Sequence, residues 1–302
     1  MIRARTGVNP MSQGQGRAAF WFLLPYLAFF FLFVVFPMLY GFWISLHQWH
    51  VLGKTAPFVG MQNYGNVVRD DLFRIALVRT ALFVVMVVPL GNLTSLAFAV
   101  GLNQKFRGVT LFKIAFYLPT LLSVAVVALV WRWMYAAEFG LLNHTLTGLA
   151  HEKVQVPWLS SPTWVMPSIV ILSVWWGAGG NMLVYLAALK AVPAEMMEAA
   201  SLDGASAWRR FWQIVIPTIR PVLLFCFVMS IIGSFQVFGQ SYILTGGGPN
   251  YSSLTVVLYM YQMGFGQYQL GYASAVAYVL FAIVLVFTLV TFRILKPDTR
   301  SR

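Results

Sequence analysis

Few residues in this sequence have the types and spacing needed for covalent or metal chemistry. His47 and His50 lie three residues apart, but no nearby carboxylate or cysteine completes a set of metal ligands. The glycine-rich run at 246–248 lacks the lysine of a phosphate-binding loop, and no nucleophile is paired with a base. The sequence therefore predicts that the chain is not an enzyme and carries no metal or cofactor, which leaves solute binding as its candidate chemistry.

Uncharged hydrogen-bonding side chains lie instead inside long apolar segments. These side chains are Asn92, Ser173, Trp176, Asn181, Ser230, Ser234, Gln236 and Gln240. A neutral, hydroxyl-rich solute such as a sugar is bound by groups of this kind with aromatic faces beside them. Glycine and serine also favour close packing between membrane helices, so packing is the alternative role for any one of these positions.

The composition places most of the chain in lipid. Hydrophobic residues make up 60% of the 302 residues and charged residues 9%, with a mean hydropathy of +0.76. Soluble domains carry about 25% charged residues. Six segments have the length of about 20 apolar residues that a spanning helix needs, and they lie at 19–46, 77–101, 111–135, 166–190, 219–244 and 270–294. Because the apolar runs are continuous, the sequence predicts an all-α integral membrane protein with six transmembrane helices.

The net charge of +12 indicates membrane orientation rather than nucleic-acid binding, because the basic residues flank the apolar segments. If both termini are cytoplasmic, fourteen of the 20 Lys and Arg residues fall on the cytoplasmic side, as the positive-inside rule requires. We therefore expect a cytoplasmic tail at 1–18, a multi-pass transmembrane domain at 19–295 and a second cytoplasmic tail at 296–302.

The loop at 191–218, which we call the elbow, is too polar to cross the membrane. Gly204 can end a first short helix in a left-handed conformation. Ser206 can cap a second short helix, which we expect to run through Trp212 and to end at Pro217. The apolar face of such an elbow needs a cover, which is either a groove on a partner protein or the lipid headgroups.

The elbow resembles a loop that is typical of one transporter family. The similarity consists of Glu198-Ala199-Ala200, then Gly204, then Ile214-x-Ile216-Pro217. This pattern is similar to the "EAA" loop in the permease subunits of binding-protein-dependent ABC importers, although that family usually has leucine where Ile216 stands. The carbohydrate-uptake branch of the family resembles the continuation Asp203-Gly204-Ala205 with Trp208 and Phe211.

Two other segments resemble the same branch. The first outer loop of that branch is similar to Phe58-Val59-Gly60 followed by Asn63-Tyr64. The turn after its fifth helix is similar to Thr245-x-Gly247-Gly248-Pro249. The resemblance covers about residues 20–295, and the order of the three motifs along six segments makes it specific.

Membership of that family implies a type I ABC importer permease fold in a bacterial inner membrane. The implied partners are a second six-helix permease, a dimer of ATPase subunits that binds ATP and Mg²⁺, and an extracytoplasmic solute-binding protein. By the resemblance, Glu198 contacts the ATPase and Gly204 permits the bend between the short helices. The residues expected to couple the permease to the ATPase are Glu198, Ala199, Ala200, Asp203, Gly204 and Ala205.

The same resemblance predicts a solute path. Counted from the elbow, the residues that fall where related sugar permeases line the path are Ser173, Trp176, Gly177, Gly180, Ser230, Gly233 and Ser234. The alternative function is an ion-coupled secondary carrier. Carriers of that kind use acidic residues within the membrane, and the six segments contain no Asp or Glu. The sequence leaves open which sugar or polyol is carried and whether it is phosphorylated.

Overall fold

The computed structural model describes residues 13–53, 55–104 and 106–295 of the chain. The predicted tail at 296–302 lies outside these residues, as do the first twelve residues of the predicted tail at 1–18. The described residues fold into helices joined by short loops. In chain order the α-helices are α1 (Gln13–Phe30), α2 (Phe36–Ser45), α3 (Gln62–Arg69), α4 (Asp71–Leu102), α5 (Val109–Tyr117), α6 (Val124–Met134), α7 (Leu141–Ala150), α8 (Val165–Lys190), α9 (Ala194–Leu202), α10 (Ala207–Arg210), α11 (Ile216–Phe235), α12 (Gly239–Thr245), α13 (Val256–Tyr261) and α14 (Leu270–Leu295).

Five helical segments of the described residues are long and apolar enough to span a membrane. They are Ala19–Ser45, Asp71–Leu102, Val165–Lys190, Ala207–Phe235 and Leu270–Arg293. The first joins α1 to α2 through a π-helical turn, and the fourth joins α10 to α11 in the same way. The pair formed by α5 and α6 makes a sixth span if it is counted as one bent unit. This arrangement agrees with the all-α, six-segment prediction.

The predicted third span, 111–135, is not one straight helix. The part that ends at residue 121 meets α6 at an angle of 101°. Pro119 lies in a single 3-10 turn just before the break. Ser123 is extended, with ψ 149°, and its hydroxyl accepts a hydrogen bond from the backbone N–H of Val126 at 3.4 Å. The serine therefore begins a new helix instead of continuing the old one.

The predicted fifth span, 219–244, is also displaced. The helix begins at Ala207 and ends at Phe235, and α12 is a separate helix packed against α6. A Cβ atom on Gly239 would lie 2.8 Å from a methyl group of Val124, so α12 and α6 touch where there is no side chain. Hydropathy does not reveal this break because residues 236–245 carry no charge.

The helices α4 and α8 contact each other extensively and form the centre of the fold. They run in the same direction, because their starts share one hydrophobic cluster and their ends share another. The hydroxyl of Ser95 on α4 donates to the carbonyl oxygen of Ala178 on α8 at 2.9 Å. One hydrophobic cluster includes Phe83 and fills the end of the fold away from the elbow. A second cluster includes Leu102 and lies beside the elbow. Around Asn92, between the two clusters, close packing gives way to a cavity.

Candidate functional site

The cavity has a volume of about 430 Å³ and lies between α4, α8 and α11. Residues 236–240, which follow α11, close one side of it. Its lining residues all belong to the described part of the chain, and none of them carries a charge. Polar groups come from Asn92, Ser95, Asn181, Gln236 and Gln240. The volume lies within the range of about 300–1,000 Å³ that is usual for small-molecule sites.

Six of the seven residues predicted for the solute path line this cavity. They are Ser173, Trp176, Gly177, Ser230, Gly233 and Ser234. Gly180 does not line it: a Cβ atom there would lie 3.6 Å from the methyl group of Thr120. Because residues four apart share one helix face, the series that begins at Ser173 continues through Gly177 to Asn181. Asn181, and not Gly180, thus continues the face of α8 that lines the cavity.

A hydrogen-bonded network joins three helices at the end of the cavity nearer the elbow. The Tyr185 hydroxyl on α8 donates to Oδ1 of Asn92 on α4 at 2.5 Å. The amide of Asn181 donates to Ser230 Oγ on α11 at 3.1 Å and reaches Oδ1 of Asn92 at 3.5 Å. The amide of Asn92 donates to the carbonyl of Val88 at 2.8 Å. These bonds use both ends of the Asn92 side chain and link α4 to α8, while Asn181 links α8 to α11.

Other polar groups of the cavity are free to meet a solute. The side chains of Ser234, Gln236 and Gln240 make no hydrogen bond to any other described residue. Trp176 adds an aromatic ring whose indole N–H donates to the carbonyl of Leu122 at 3.2 Å, in the break between α5 and α6. Free amides and hydroxyls beside a fixed aromatic ring suit a neutral solute with many hydroxyl groups. In the sequence, Gln236 and Gln240 can be recognised as candidate solute-binding residues because each places an uncharged amide within an apolar segment.

The bend of the elbow lies at the glycine that the sequence predicts. Gly204 has φ +76°. The N–H of Ala205 donates to the carbonyl of Ala200 at 2.9 Å, and the N–H of Gly204 donates to the carbonyl of Ser201 at 3.1 Å. This pair of bonds is a Schellman motif, which ends α9. Ser206 then accepts from the N–H of Arg209 at 3.3 Å and begins α10, as predicted.

The second arm of the elbow does not end at Trp212 or at Pro217, contrary to the prediction. It continues through a π-helical turn, Phe211–Val215, into α11, so that Ala207–Phe235 is one helix. In the π turn the N–H of Ile216 bonds to the carbonyl of Phe211. Pro217 has no N–H and its ring crowds the carbonyl four residues before it. The wider π turn accommodates the proline, and the elbow is therefore continuous with the helix that lines the cavity.

Large apolar side chains of the elbow are exposed. Leu202 is 90% exposed and Trp208 is 71% exposed. Glu198, Ala199 and Asp203 are also exposed, whereas Ala200 and Ala205 are half-buried. Arg210 braces the two arms, because its guanidinium donates to the carbonyl of Met197 on α9 at 3.5 Å. The two arms of the elbow are thus joined to each other, and its surface has an apolar part and an acidic part. Such a surface can bind in a groove on another protein.

Curated relatives resemble this chain over nearly its full length. It is 32% identical over 283 residues to the trehalose/maltose transport system permease protein MalF of Thermococcus litoralis, which covers 93% of this chain and 94% of the relative. It is 30% identical over 279 residues to the sn-glycerol-3-phosphate transport system permease protein UgpA of Yersinia pestis bv. Antiqua, which covers 92% of this chain and 94% of the relative.

A solved structure and a family model point to the same class of protein as these relatives. A chain in a crystal structure of a bacterial alginate ABC transporter, in complex with an alginate pentasaccharide-bound periplasmic protein, has the same fold. The TM-score is 0.83 at 21% identity, over 95% of this chain and 96% of that chain. A family described as "Binding-protein-dependent transport system inner membrane component" matches residues 76–300. This chain therefore belongs to the family of inner membrane components of binding-protein-dependent transport systems, the permease subunits of ABC importers.

Proposed function

We propose that this chain is one of two permease subunits of an ATP-driven importer that carries a sugar or sugar-like solute across the bacterial inner membrane. The observation that carries the proposal is the uncharged, polar-lined cavity between α4, α8 and α11. Its free amides and hydroxyls and the ring of Trp176 match the chemistry of a sugar. The trehalose/maltose system of the relative from Thermococcus litoralis supports the same class of solute.

In this proposal the ATPase binds the elbow. Its expected contact residues are Glu198, Ala199, Ala200, Asp203, Gly204 and Ala205. ATP and Mg²⁺ are held by the ATPase dimer and not by this chain. Closure of that dimer would move the elbow, and the unbroken helix Ala207–Phe235 would carry the motion to Ser230 and Ser234 in the cavity wall. Rigid-body motion of this kind opens the path first to one side of the membrane and then to the other.

Two further partners complete the proposed importer. A second six-helix permease supplies the facing wall of the path, and an extracytoplasmic solute-binding protein delivers the solute. Both termini and the elbow lie on the cytoplasmic side, where the positive-inside rule places the basic residues. The most apolar stretch of Ala19–Ser45 is 0% buried, compared with 44% in Val165–Lys190. A first helix so exposed is suited to lipid and to contact with the second permease.

Bulky substitutions in the cavity wall test the proposed path. A Cβ atom on Gly177 meets no atom within 4 Å, so the leucine of Gly177→Leu would project into open space in the cavity. We expect Gly177→Leu and Ser234→Leu each to lower sugar uptake by about tenfold or more, because the side chain fills the solute's place. Uptake is measured in vesicles that contain both permeases, the ATPase and the binding protein.

Gly101→Leu is the matched control, because Gly101 lies on α4 with open space around it and does not line the cavity. It should leave uptake unchanged, and all three variants should still co-purify with the ATPase. Normal uptake by both cavity variants would contradict the proposed path. Uptake that persists without the ATPase and stops when the ion gradient is removed would favour an ion-coupled carrier instead.

A further inference from the structure

A second, smaller polar pocket lies at the end of the molecule away from the elbow. It has a volume of about 140 Å³ and lies between residues 48–50, the helix α3 and the start of α14. This pocket shares no lining residue with the cavity between α4, α8 and α11. It has room for several waters, since one water takes up roughly 30 Å³ in the liquid, and it is smaller than the sites that hold large ligands.

Backbone contacts hold the frame of this pocket. The N–H of Gly271 donates to the carbonyl of Trp49 at 3.1 Å, and the N–H of Val51 donates to the carbonyl of Tyr268 at 3.0 Å. A Cβ atom on Gly271 would lie 2.0 Å from the carbonyl oxygen of His47, so α14 begins directly against this segment. The contact between residues 47–51 and the start of α14 therefore does not depend on the side chains that line the pocket.

The first turns of α3 are fixed to the same frame. The buried amide of Asn63 donates to the carbonyls of Ser45 at 2.8 Å and His47 at 3.0 Å. Gln62 and Asn66 flank Asn63 on α3, are exposed, and line the pocket. The two side chains can be changed without removing the contacts that hold α3 in place.

The lining of the pocket is rich in neutral hydrogen-bonding groups. The side chains of Gln48, Trp49, His50, Gln62 and Asn66 make no hydrogen bond within residues 13–53, 55–104 and 106–295. They offer amide donors and acceptors, an imidazole and an indole around one small space. Most of these side chains are exposed, so they bond to water in the empty pocket and are available to a polar ligand that replaces the water.

The described lining of the pocket does not favour an ionic ligand. No Asp, Glu, Lys or Arg is among its lining residues, all of which are described. Asp70 is the nearest carboxylate bonded to a lining residue, Tyr272. Its Oδ2 atom already accepts hydrogen bonds from the hydroxyls of Tyr259 and Tyr272. An anion would lack a cation here, and a metal ion would lack a free carboxylate. A neutral ligand with several hydroxyl groups satisfies the amides and packs against the indole.

We propose that this pocket is a second solute site, which binds a single ring of an uncharged sugar before or after it occupies the main cavity. The choice of a sugar rests on the function proposed above. The position of the pocket at the end of the molecule away from the elbow places it where solute would arrive if the elbow is cytoplasmic. The pocket then holds one ring of a sugar at the mouth of the path.

Sugar binding to the full chain in lipid nanodiscs, without partner subunits, tests this site. Maltose, trehalose and lactose are the probes, and saturation-transfer difference NMR titrations measure the affinity. We expect at least one of the three to bind saturably. The double substitution Gln62→Ala with Asn66→Ala, made in Gly177→Leu so that the main cavity is obstructed, should weaken that binding by about tenfold or more, because two hydrogen-bonding side chains are lost.

Two control variants separate this site from the rest of the protein. Val68→Ala changes an exposed residue of α3 that does not line the pocket, and it should bind as the unchanged protein does. Gly177→Leu obstructs the main cavity and therefore serves as the background in which sugar binding to the second pocket is measured. No saturable binding of any of the three sugars to Gly177→Leu, or binding by Gly177→Leu that the added double substitution does not weaken, would overturn the proposal. Failure of ATP-driven uptake in the complete importer would instead refute the proposed function, since it is measured independently.

Discussion

Asp70 joins the start of α4 to α13 and α14 through its two carboxylate oxygens. One oxygen accepts from the N–H groups of Leu72 at 2.8 Å and Phe73 at 3.2 Å. The other accepts from the hydroxyls of Tyr259 and Tyr272, the latter at 2.5 Å. Burial raises the pKa of Asp70, but the hydrogen bonds from the two tyrosines and the backbone together hold its pKa below the ordinary value. The carboxylate therefore remains ionised at neutral pH.

Asp70→Asn should lower the free energy of unfolding by about 1 kcal/mol at pH 7, because the single oxygen of asparagine keeps the helix cap but its NH2 group, a donor, replaces the oxygen that accepts from the tyrosines. Since the pKa is lowered in the folded protein, this stability is present above about pH 4. It is lost as the pH falls further, through the lowered pKa of the folded state. Thermal unfolding of the purified chain at several pH values measures the difference between the two proteins.

The neighbouring carboxylate is a matched control. Asp71 pairs with Arg74 at 3.1 Å, but the two side chains are 82% and 76% exposed. An exposed pair of this kind contributes little, so Asp71→Asn should leave the unfolding temperature nearly unchanged. An equal effect of both substitutions would show that the tyrosine bonds do not distinguish Asp70.

The sequence reveals residue types but not the partners that lie far along the chain. Tyr259 and Tyr272 are 189 and 202 residues from Asp70, so nothing local marks the cluster. The cavity was easier to predict because its residues repeat along one helix face. Gly180 does not line this cavity, since spacing alone does not give the rotation of α8 about its axis.

The contact between α8 and the bent third segment depends on a glycine. A Cβ atom on Gly179 would lie 2.3 Å from the carbonyl oxygen of Phe116 and 2.7 Å from Cα of Tyr117. Both are backbone atoms, which cannot move aside without shifting a helix. Thr120 also donates to the carbonyl of Trp176 at 3.0 Å across the same contact. The helices α5 and α8 therefore pack backbone against backbone here.

Gly179→Ala should lower the free energy of unfolding by about 1–3 kcal/mol, the usual cost of overpacking. Gly180→Ala is the control on the next residue, where the added Cβ atom would make an ordinary contact of 3.6 Å with Thr120. It should have little effect. Thermal unfolding of the two variants in the same detergent compares them directly, and equal stability of the two variants would contradict this account of the packing.

Gly204 at the elbow and Gly108 before α5 have similar backbone conformations. Gly204 has φ +76° and Gly108, before α5, has φ +85°, and neither would bring a Cβ atom within 4 Å of another atom. Alanine at either position should cost about 1–2 kcal/mol, because L-residues avoid this conformation. Gly204→Ala should also reduce the stimulation of ATPase turnover by sugar-loaded binding protein, whereas Gly108→Ala should not. Equal loss of stimulation in both variants would argue against a special role for the elbow bend.

Apolar continuity predicts that a helix exists but does not fix where it ends. Pro119 precedes a sharp break, whereas Pro217 lies inside a helix that continues to Phe235. The difference lies in the neighbours: Ser123 offers a cap for a new helix, while Phe211–Val215 widens into a π turn. Both outcomes depend on hydrogen bonds that form only in the folded chain, and this limits what the sequence can predict about the spans.

The whole molecule is arranged as one of the two walls of the proposed solute path. The helices α4 and α8 lie at its centre, the cavity opens between them and α11, and the first span stands largely outside the core. The elbow and the start of α14 lie at opposite ends. A subunit built in this way can bind solute at its middle, a partner at one end and a delivery protein at the other, as the proposed function requires.

The orientation of the whole chain can be measured with single cysteines. Ser201 on the elbow and Gln267 before α14 are both exposed. With a membrane-impermeant maleimide, we expect Gln267→Cys to react in intact spheroplasts and Ser201→Cys to react only in inside-out vesicles. The native Cys226, 1% exposed within α11, should remain unlabelled in both preparations. The reverse pattern would contradict both the cytoplasmic elbow and the positive-inside assignment.

The π-helical turn lies between Trp208 on the elbow and Ser230 in the cavity wall. Such a turn holds one residue more than an α turn, and each residue of an α-helix advances by about 100° around the axis. If this turn tightened to α geometry, the part of the helix that bears Ser230 would swivel by about that angle relative to Trp208. A change in a few backbone hydrogen bonds would then rotate the cavity wall relative to the elbow.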